Sequence, residues 1–438
     1  MESFTLALNK QLLAFLAILT GAFLVPVNST MITIGLSDMM TSFHTNLGHV
    51  SWIVTIYLII MTVTQPLAGK LGDIYGNRNM FLLGLLLFFV ASFLCIYAPN
   101  LSLLIVGRAV QAIGGALITP NGTAILRLIT PKEKLAKTFG VFGFAMSIGA
   151  AIGPLIGALL IHAWGWHSTF WINIPLTILS FIFAFQFLPV IERKKRTSID
   201  IQGAVLLGIF LTTLILIITN EAYTNGWMWL VFAVAVGLFI YREKTFKYPL
   251  IDFSLFKVKS FTNANLSILI NNGIMYCTLL IMPIMLARDA DFSIASIGIL
   301  LFVFSLSISL ASWFGGSLES KLGRHVIVGL SFISSVVAVG LYFYLPASSL
   351  VTAGIILFLG GIGSGLGVPS MQAASFESVA KEMSGVASGI YSTFRYIGST
   401  AASVMISLQI SYTATLTTLI LLAVVGVFVA KGLVISGD

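Results

Sequence analysis

The sequence GKLGDIYGNRNMF, from Gly69 to Phe81, is a short polar interruption between two long apolar runs near residues 48–69 and 80–98. Each run is continuously apolar over about 20 residues without the alternation of a barrel strand, so it predicts a membrane-spanning helix. A helix is favoured because it satisfies its backbone hydrogen bonds within one segment. Apolar runs with short polar connections recur along the whole chain. The sequence therefore predicts an all-α integral membrane protein.

The composition agrees with this fold class. Apolar residues make up 58% of the chain, charged residues make up 9%, and the mean hydropathy is +1.03. Soluble domains contain roughly 25% charged residues, so this composition excludes a soluble protein. We predict fourteen spans, near residues 11–36, 48–69, 80–98, 101–126, 136–162, 167–190, 201–220, 226–241, 262–286, 293–317, 326–345, 350–372, 384–409 and 412–431.

Lysine and arginine residues collect in the loops on one side of these spans. Together with the termini, that side holds 20 of the 23 basic residues, the exceptions being Arg108, Arg288 and Arg395. Short basic loops stay in the cytoplasm, so both termini are predicted to be cytoplasmic. The net charge of +8 is then a topology signal and does not indicate a nucleic-acid partner.

An internal repeat predicts how the spans are organised. GKLGDIYGNR is echoed 247 residues later by GSLESKLGRH, and four residues recur at an offset of 249, namely Pro120, Glu133, Gly140 and Gly149 as Pro369, Glu382, Gly389 and Gly398. We therefore predict a six-helix half at 1–196, two inserted helices at 197–245 and a second six-helix half at 246–438. Parallel repeats of this kind suit a transporter that rocks one half against the other.

Four segments resemble the signatures of one transporter family. GKLGDIYGNRNMF resembles the loop 2–3 signature of the major facilitator superfamily, and GAAIGPLIGALL at 149–160 resembles the antiporter signature of its drug/proton exchangers. GRAVQAIGGA at 107–116 and PVNSTMITIGL at 26–36 resemble two further signatures. The chain most resembles the fourteen-span bacterial multidrug/proton antiporters, of the staphylococcal quinolone and dye exporter type. The resemblance implies a major facilitator fold with six, two and six helices.

The segment from Gly69 to Arg78 is predicted to stabilise one conformation. Gly69 and Gly76 permit tight turns, while Asp73 and Arg78 can pair across the cytoplasmic mouth and cap helix ends. The second copy has Ser320 in place of Asp73. We therefore expect the polar contact to be stronger in the N-terminal half.

A row of glycines on span 5 predicts close helix packing. Gly149, Gly153 and Gly157 are four residues apart and leave one helical face without side chains, and Pro154 removes a backbone donor. We expect this face to make a tight contact between the halves that seals one side.

Arg108 lies inside span 4, where a charged side chain needs a cavity or a polar partner, and Gln111 shares its helical face. The resemblance implies that Arg108 couples substrate binding to the proton site. Asn28 in span 1 replaces the aspartate that is common in the fourteen-span family, and an amide cannot exchange a proton. Coupling then needs another carboxylate. Desolvation favours a protonated carboxylate, and the candidates in order are Glu221, Asp38 and Glu377.

A multidrug cavity should be wide and mostly apolar, with a few polar groups. The candidate substrate-binding residues lie on six spans and are Asn28, Tyr57, Gln65, Arg108, Gln111, Phe142, Met146, Asn271, Asn272, Tyr391, Phe394 and Arg395. Cys95 and Cys277 lie within spans and suggest neither a disulfide nor a metal site.

These features predict a multi-pass transporter of the bacterial cytoplasmic membrane, with no enzymatic motif and no cofactor. The expected function is proton-coupled export of amphipathic cationic or zwitterionic drugs, such as dyes and fluoroquinolones, by alternating access. Its expected partners are drugs, protons and the lipid bilayer, and the protein is expected to be a monomer. Na+ is left open as the coupling ion. The alternative is a secondary carrier of one physiological solute or lipid-like metabolite.

Overall fold

The computed structural model describes residues 2–190, 200–219, 225–247, 249, 251, 253–289, 292–407 and 411–433. Within these ranges the chain is almost entirely helical and contains no strand. We label the main helices α1 to α14: Glu2–Met31, Trp52–Tyr75, Asn77–Ile96, Leu101–Ile129, Leu135–Trp164, Asn173–Phe187, Ile201–Thr219, Gly226–Thr245, Lys259–Asp289, Ile294–Leu322, Arg324–Tyr342, Leu350–Gly365 continued by Val368–Glu377, Ser384–Ser407 and Tyr412–Ala430.

Twelve helices in the described ranges are long and apolar enough to cross a membrane, namely all except α7 and α13. They coincide with twelve of the fourteen predicted spans. In α7, the apolar segment is shorter and covers Ile201–Leu214. The structure thus confirms an all-helical, multi-pass protein with twelve candidate spans among the described residues, while the count of fourteen and the cytoplasmic termini stay predictions.

The segment from Gly69 to Arg78 is mostly helical, which corrects the prediction of a polar loop between two spans. Helix α2 continues to Tyr75 and α3 begins at Asn77, so the turn is the single residue Gly76, with φ of 93°. Only glycine adopts this backbone conformation at little cost. Gly323, which lies 247 residues later, makes the same turn between α10 and α11 with φ of 82°. The two turns therefore obey the repeat found in the sequence.

Helices α1 to α6 pack mainly on one another and form the N-terminal half, while α9 to α14 form the C-terminal half. Each half has its own buried apolar core. The halves meet chiefly where α2 packs on α13 and where α5 packs on α10. The inserted helices α7 and α8 pack on each other, and α7 also contacts α2 and α13. The insert therefore lies beside one of these two crossings.

Candidate functional site

A cavity lies between the two halves, and its lining comes from α4, α5, α9, α10, α12 and α13. Its volume is about 90 Å³ in this conformation. The lining combines apolar side chains, such as Phe142 and Met275, with hydroxyl and amide side chains, such as Thr119 and Gln372. Arg395 is the one charged side chain among the described residues of the lining. A mostly uncharged, amphipathic lining of this kind is typical of sites for small organic molecules, and a drug-sized molecule needs a wider conformation of the cavity than this one.

Six predicted binding residues line this cavity, namely Phe142, Met146, Asn271, Asn272, Tyr391 and Arg395. Asn271 Nδ2 donates a hydrogen bond to the Ser364 carbonyl at 2.8 Å, while its Oδ1 is buried without a hydrogen-bond partner. Asn272 Nδ2 donates to the Arg395 carbonyl at 2.7 Å. The two amides thus connect α9 to α12 and α13, and Asn271 keeps an acceptor that a ligand donor can satisfy.

Arg108 lies outside this lining, in a polar cluster inside the N-terminal half. Its side chain is fully buried, its Nη1 donates to Asn28 Oδ1 and, at 2.6 Å, to Gln111 Oε1, and its Nε donates to the Ile53 carbonyl at 3.3 Å. The guanidinium also lies 4.2 Å from the centre of the Tyr57 ring. The four predicted binding residues of this cluster therefore contact one another and do not line the cavity. Their contacts offset the cost of burying the charge of Arg108.

The remaining two predicted binding residues lie where helices pack. The side-chain Nε2 and Oε1 of Gln65 are buried without a hydrogen-bond partner. Its backbone carbonyl lies against Gly389 in the crossing of α2 and α13. The Phe394 ring lies 5.8 Å from the Phe256 ring. Neither residue belongs to the cavity lining among the described residues.

The glycine face of α5 packs inside the N-terminal half, against α1. A side chain at Gly149, Gly153 or Gly157 would overlap Phe23, Thr30 or Met31, respectively. The prediction that these glycines form the contact between the halves is therefore wrong. Two other glycines of α5 make that contact: Gly140 and Gly143 lie against Ser312 of α10. The helix is continuous through Pro154.

Polar contacts between the halves concentrate at the end of the bundle that carries residues 70–78, 127–137, 319–325 and 379–385, which we call the basic end. Asp73 lies in the last turn of α2, and its two carboxylate oxygens accept hydrogen bonds from the backbone N–H groups of Gly385 and Val386, at 2.8 and 2.9 Å. These groups belong to the first turn of α13, so Asp73 caps a helix of the other half. Arg78 Nη2 donates to the Phe185 carbonyl at 2.6 Å.

Arg127, at the end of α4, makes a second contact of this kind. It donates to the carbonyls of Val379 and Ala380 at 2.6 and 3.1 Å and to Ser384 Oγ at 2.8 Å. Arg127 is one of the 20 basic residues from which the topology is predicted, and no partner was expected for it. Its position directly before the Thr130–Lys137 connection could have suggested a contact with the equivalent connection of the second half.

The three predicted proton-coupling carboxylates have different surroundings. Glu221 lies outside the described residues. Asp38 is exposed, in a short helix after α1. Glu377 Oε2 lies 3.1 Å from Arg324 Nη2, which also pairs with Glu319 at 2.8 Å. The structure thus places Glu377 in a partly buried cluster of two carboxylates and one arginine at the basic end.

Comparisons with known proteins agree with this architecture. The family model described as the Major Facilitator Superfamily matches residues 18–403. The uncharacterised MFS-type transporter YvkA of Bacillus subtilis is 43% identical over 431 residues, covering 97% of this chain and 96% of YvkA. Multidrug resistance protein 3 of Bacillus subtilis is 26% identical over 393 residues, covering 88% of this chain and 77% of that protein.

The fold is also similar to the crystal structure of the human organic anion transporter MFSD10 (TETRAN). The TM-score is 0.70 at 17% sequence identity, over 96% of this chain and 99% of that chain, a likeness that concerns the fold alone. The predicted transporter class is therefore confirmed, and an enzyme is not indicated. On the extent of the family match and the identity to YvkA, this chain belongs to the major facilitator superfamily.

Proposed function

We propose that this protein exports amphipathic drugs across the bacterial cytoplasmic membrane in exchange for protons, by alternating access. The observation that carries the proposal is the cavity between the halves, together with the Asp73 and Arg127 contacts that join the halves at the basic end. A binding site between two bodies that can rock is what alternating access requires. The similarity to Multidrug resistance protein 3 supports drugs, such as cationic or zwitterionic dyes and fluoroquinolones, as substrates.

The proposed topology has fourteen spans, with α7 and α13 crossing the membrane as well and both termini in the cytoplasm. The basic end is then cytoplasmic, in line with the distribution of lysine and arginine. The contacts of Asp73 and Arg127 accordingly hold the cytoplasmic side closed in this conformation. The protein is proposed to act as a monomer within the lipid bilayer.

Proton coupling is proposed for a carboxylate, with Glu221 as the first choice because Asn28 cannot exchange a proton. Glu377 is the described candidate with a defined environment, since its pair with Arg324 would weaken on protonation. Asp38 is the third candidate and is exposed, in the short helix after α1. Na+ in place of H+ remains an option for the same sites.

The alternative is a secondary carrier of one physiological solute or lipid-like metabolite. The feature in its favour is the number of hydrogen-bonding side chains in the lining, among them Asn271, Gln372 and Ser392. Several positioned polar groups favour one substrate over many, because each unpaired group lowers the affinity for a poor match.

Purified protein in liposomes with an imposed pH gradient tests the proposal. Ethidium or a fluoroquinolone should move only when the gradient is present, and adding either compound should release protons. Glu221→Gln should abolish this exchange, whereas Glu133→Gln, at an exposed position, should retain it. If neither compound moves with the gradient, the antiporter proposal is wrong. Normal exchange in the Glu221 variant would move the coupling role to Glu377 or Asp38.

A further inference from the structure

We infer that the central cavity selects amphipathic substrates that carry a carboxylate, and that Arg395 binds this group. The inference rests on the proposed transport function, keeps its zwitterionic substrates, adds amphipathic acids and removes the purely cationic dyes. It starts from the charge of the cavity: the described lining contains one arginine and no aspartate, glutamate, lysine or histidine.

The positive charge of Arg395 has no protein counter-ion among the described residues, because none of their carboxylates forms an ion pair with it. The charged and titratable groups near its guanidinium are tyrosines, namely Tyr396, Tyr276 and Tyr391, and the Tyr396 ring centre is 5.5 Å away. Neutral phenols stabilise a cation less than a carboxylate does. An arginine at membrane depth is costly unless it is paired, so an anionic ligand group would relieve this cost.

The other buried arginines at the centre and the interface already donate to several protein acceptors, although Arg108 Nη2 is buried without one. Arg108 donates to Asn28, Gln111 and the Ile53 carbonyl, and Arg127 donates to two carbonyls and a hydroxyl. Neither side chain lines the cavity. Arg395 is thus the one among these three that lines the cavity, and the hydrogen bond of its side chain is made with the neutral Tyr396 rather than with a carboxylate.

The rest of the lining fits the apolar part of such a substrate. Phe142, Met146 and Tyr391 offer surfaces on which a planar ring system can pack, and Asn271 offers a buried acceptor without a partner. A purely cationic compound finds no carboxylate in the described lining and is repelled by Arg395. The predicted substrates are therefore amphipathic acids and zwitterions, and lipophilic cations are predicted to bind poorly.

A matched pair of dyes tests this directly: a rhodamine with a free carboxylate and the methyl ester of the same rhodamine. The two differ at one group, since the acid is a zwitterion at neutral pH and the ester is a cation. We expect the full-length protein in detergent to bind the acid roughly tenfold or more tightly than the ester, by fluorescence polarisation. Equal affinities, a preference for the ester or no binding of the acid would overturn the inference.

Variants of Arg395 locate the effect. Arg395→Gln should abolish the preference for the acid, and Arg395→Lys should retain part of it. Lys257→Gln removes a positive charge from an exposed position and should keep the full preference. If Arg395→Gln does not fold, the affinities of the two dyes for the unmodified protein and for the Arg395→Lys variant still test the inference. A full preference that persists in Arg395→Gln would contradict the role of this residue.

Measuring binding and transport of the two dyes separately distinguishes a failure of the carboxylate inference from a failure of the proposed antiport. Preferential binding of the acid without gradient-driven transport would refute the proposed antiport and leave the substrate class intact. Gradient-driven transport of both dyes at equal affinity would refute the carboxylate inference and leave the antiport intact.

Discussion

The two crossings between the halves, α2 on α13 and α10 on α5, share their backbone packing and differ in their polar contacts. At the first crossing, a side chain on Gly69 would overlap the carbonyl of Gly385, and at the second, a side chain on Gly316 would overlap the carbonyl of Ala136. Gly69 and Gly316 are equivalent in the internal repeat, 247 residues apart. Both crossings therefore depend on backbone approach that only glycine permits.

The polar contacts at the basic end do not follow the repeat. Asp73 caps α13 across the first crossing, whereas Ser320, its equivalent, is exposed, and its hydroxyl donates to the Ser317 carbonyl of its own helix at 3.3 Å. The neighbouring carboxylate, Glu319, pairs with Arg324 inside the C-terminal half. The inserted helix α7 also lies at the first crossing. One crossing is thus held by charge and packing, and the other mainly by packing.

Blocking the shared backbone approach should give the largest effect. Gly69→Val and Gly316→Val each place a branched side chain against a carbonyl, so we expect each variant to lose more than about tenfold of the initial transport rate. Gly298→Val is the matched control, because nothing lies within 4 Å of a side chain at this exposed position of α10. Transport in liposomes, with folding checked by gel filtration, measures the outcome. Loss in only one of the two variants would show that the crossings are not equivalent.

Removing the polar cap should have a smaller effect and act at one crossing only. Asp73→Ala leaves two N–H groups of α13 without their acceptor, which costs about 1–2 kcal/mol and shifts the closed conformation of the basic end toward opening by roughly tenfold. Spin labels at the exposed Lys134 and Lys381 would report this opening as a longer distance. Ser320→Ala is the repeat-related control and should leave the distances unchanged. Similar shifts in both variants would contradict the asymmetry.

The sequence predicted this asymmetry because it depends on residue identity. The acid near the end of α2 can accept hydrogen bonds as an anion and the serine at the repeated position cannot, and this chemical difference does not depend on how the helices pack. The two glycine turns, Gly76 and Gly323, are also visible in the sequence repeat. The sequence does not show which helix packs against a face of small residues. Gly149, Gly153 and Gly157 define a face on α5, but glycine permits close approach of any neighbouring helix, here α1.

The two arginines inside spans show the same limit. Arg108 and Arg395 both lie within apolar helices, and their types alone do not tell which of them faces the cavity. The side that an arginine faces depends on the rotation of its helix, and packing against neighbouring helices sets this rotation. The sequence does not give the rotation, because the predicted span boundaries are uncertain by a few residues. The structure separates them: Arg108 is enclosed by side chains of its own half, and Arg395 lines the space between the halves.

Asn28→Asp tests this difference with the smallest expected effect. The new carboxylate would lie against Arg108 and replace an amide whose Nδ2 is buried without a partner, so a buried ion pair forms where Arg108 had only neutral acceptors. The desolvation of the carboxylate offsets much of the gain, and we expect about 1 kcal/mol of added stability, seen as a higher unfolding temperature in detergent.

The preference of the rhodamine acid over its ester should not change in Asn28→Asp, because Asn28 lies outside the cavity lining. Asn265→Asp is the control: Asn265 is fully buried, its Nδ2 donates to the Phe261 carbonyl and Ser375 Oγ, and among the described residues no arginine hydrogen-bonds to it. This variant should lower the unfolding temperature, since its carboxylate is buried without a base. A shift toward cationic dyes in Asn28→Asp would instead bring Arg108 and Asn28 into contact with substrate, and the N-terminal half would then contribute charge to the cavity as the C-terminal half does.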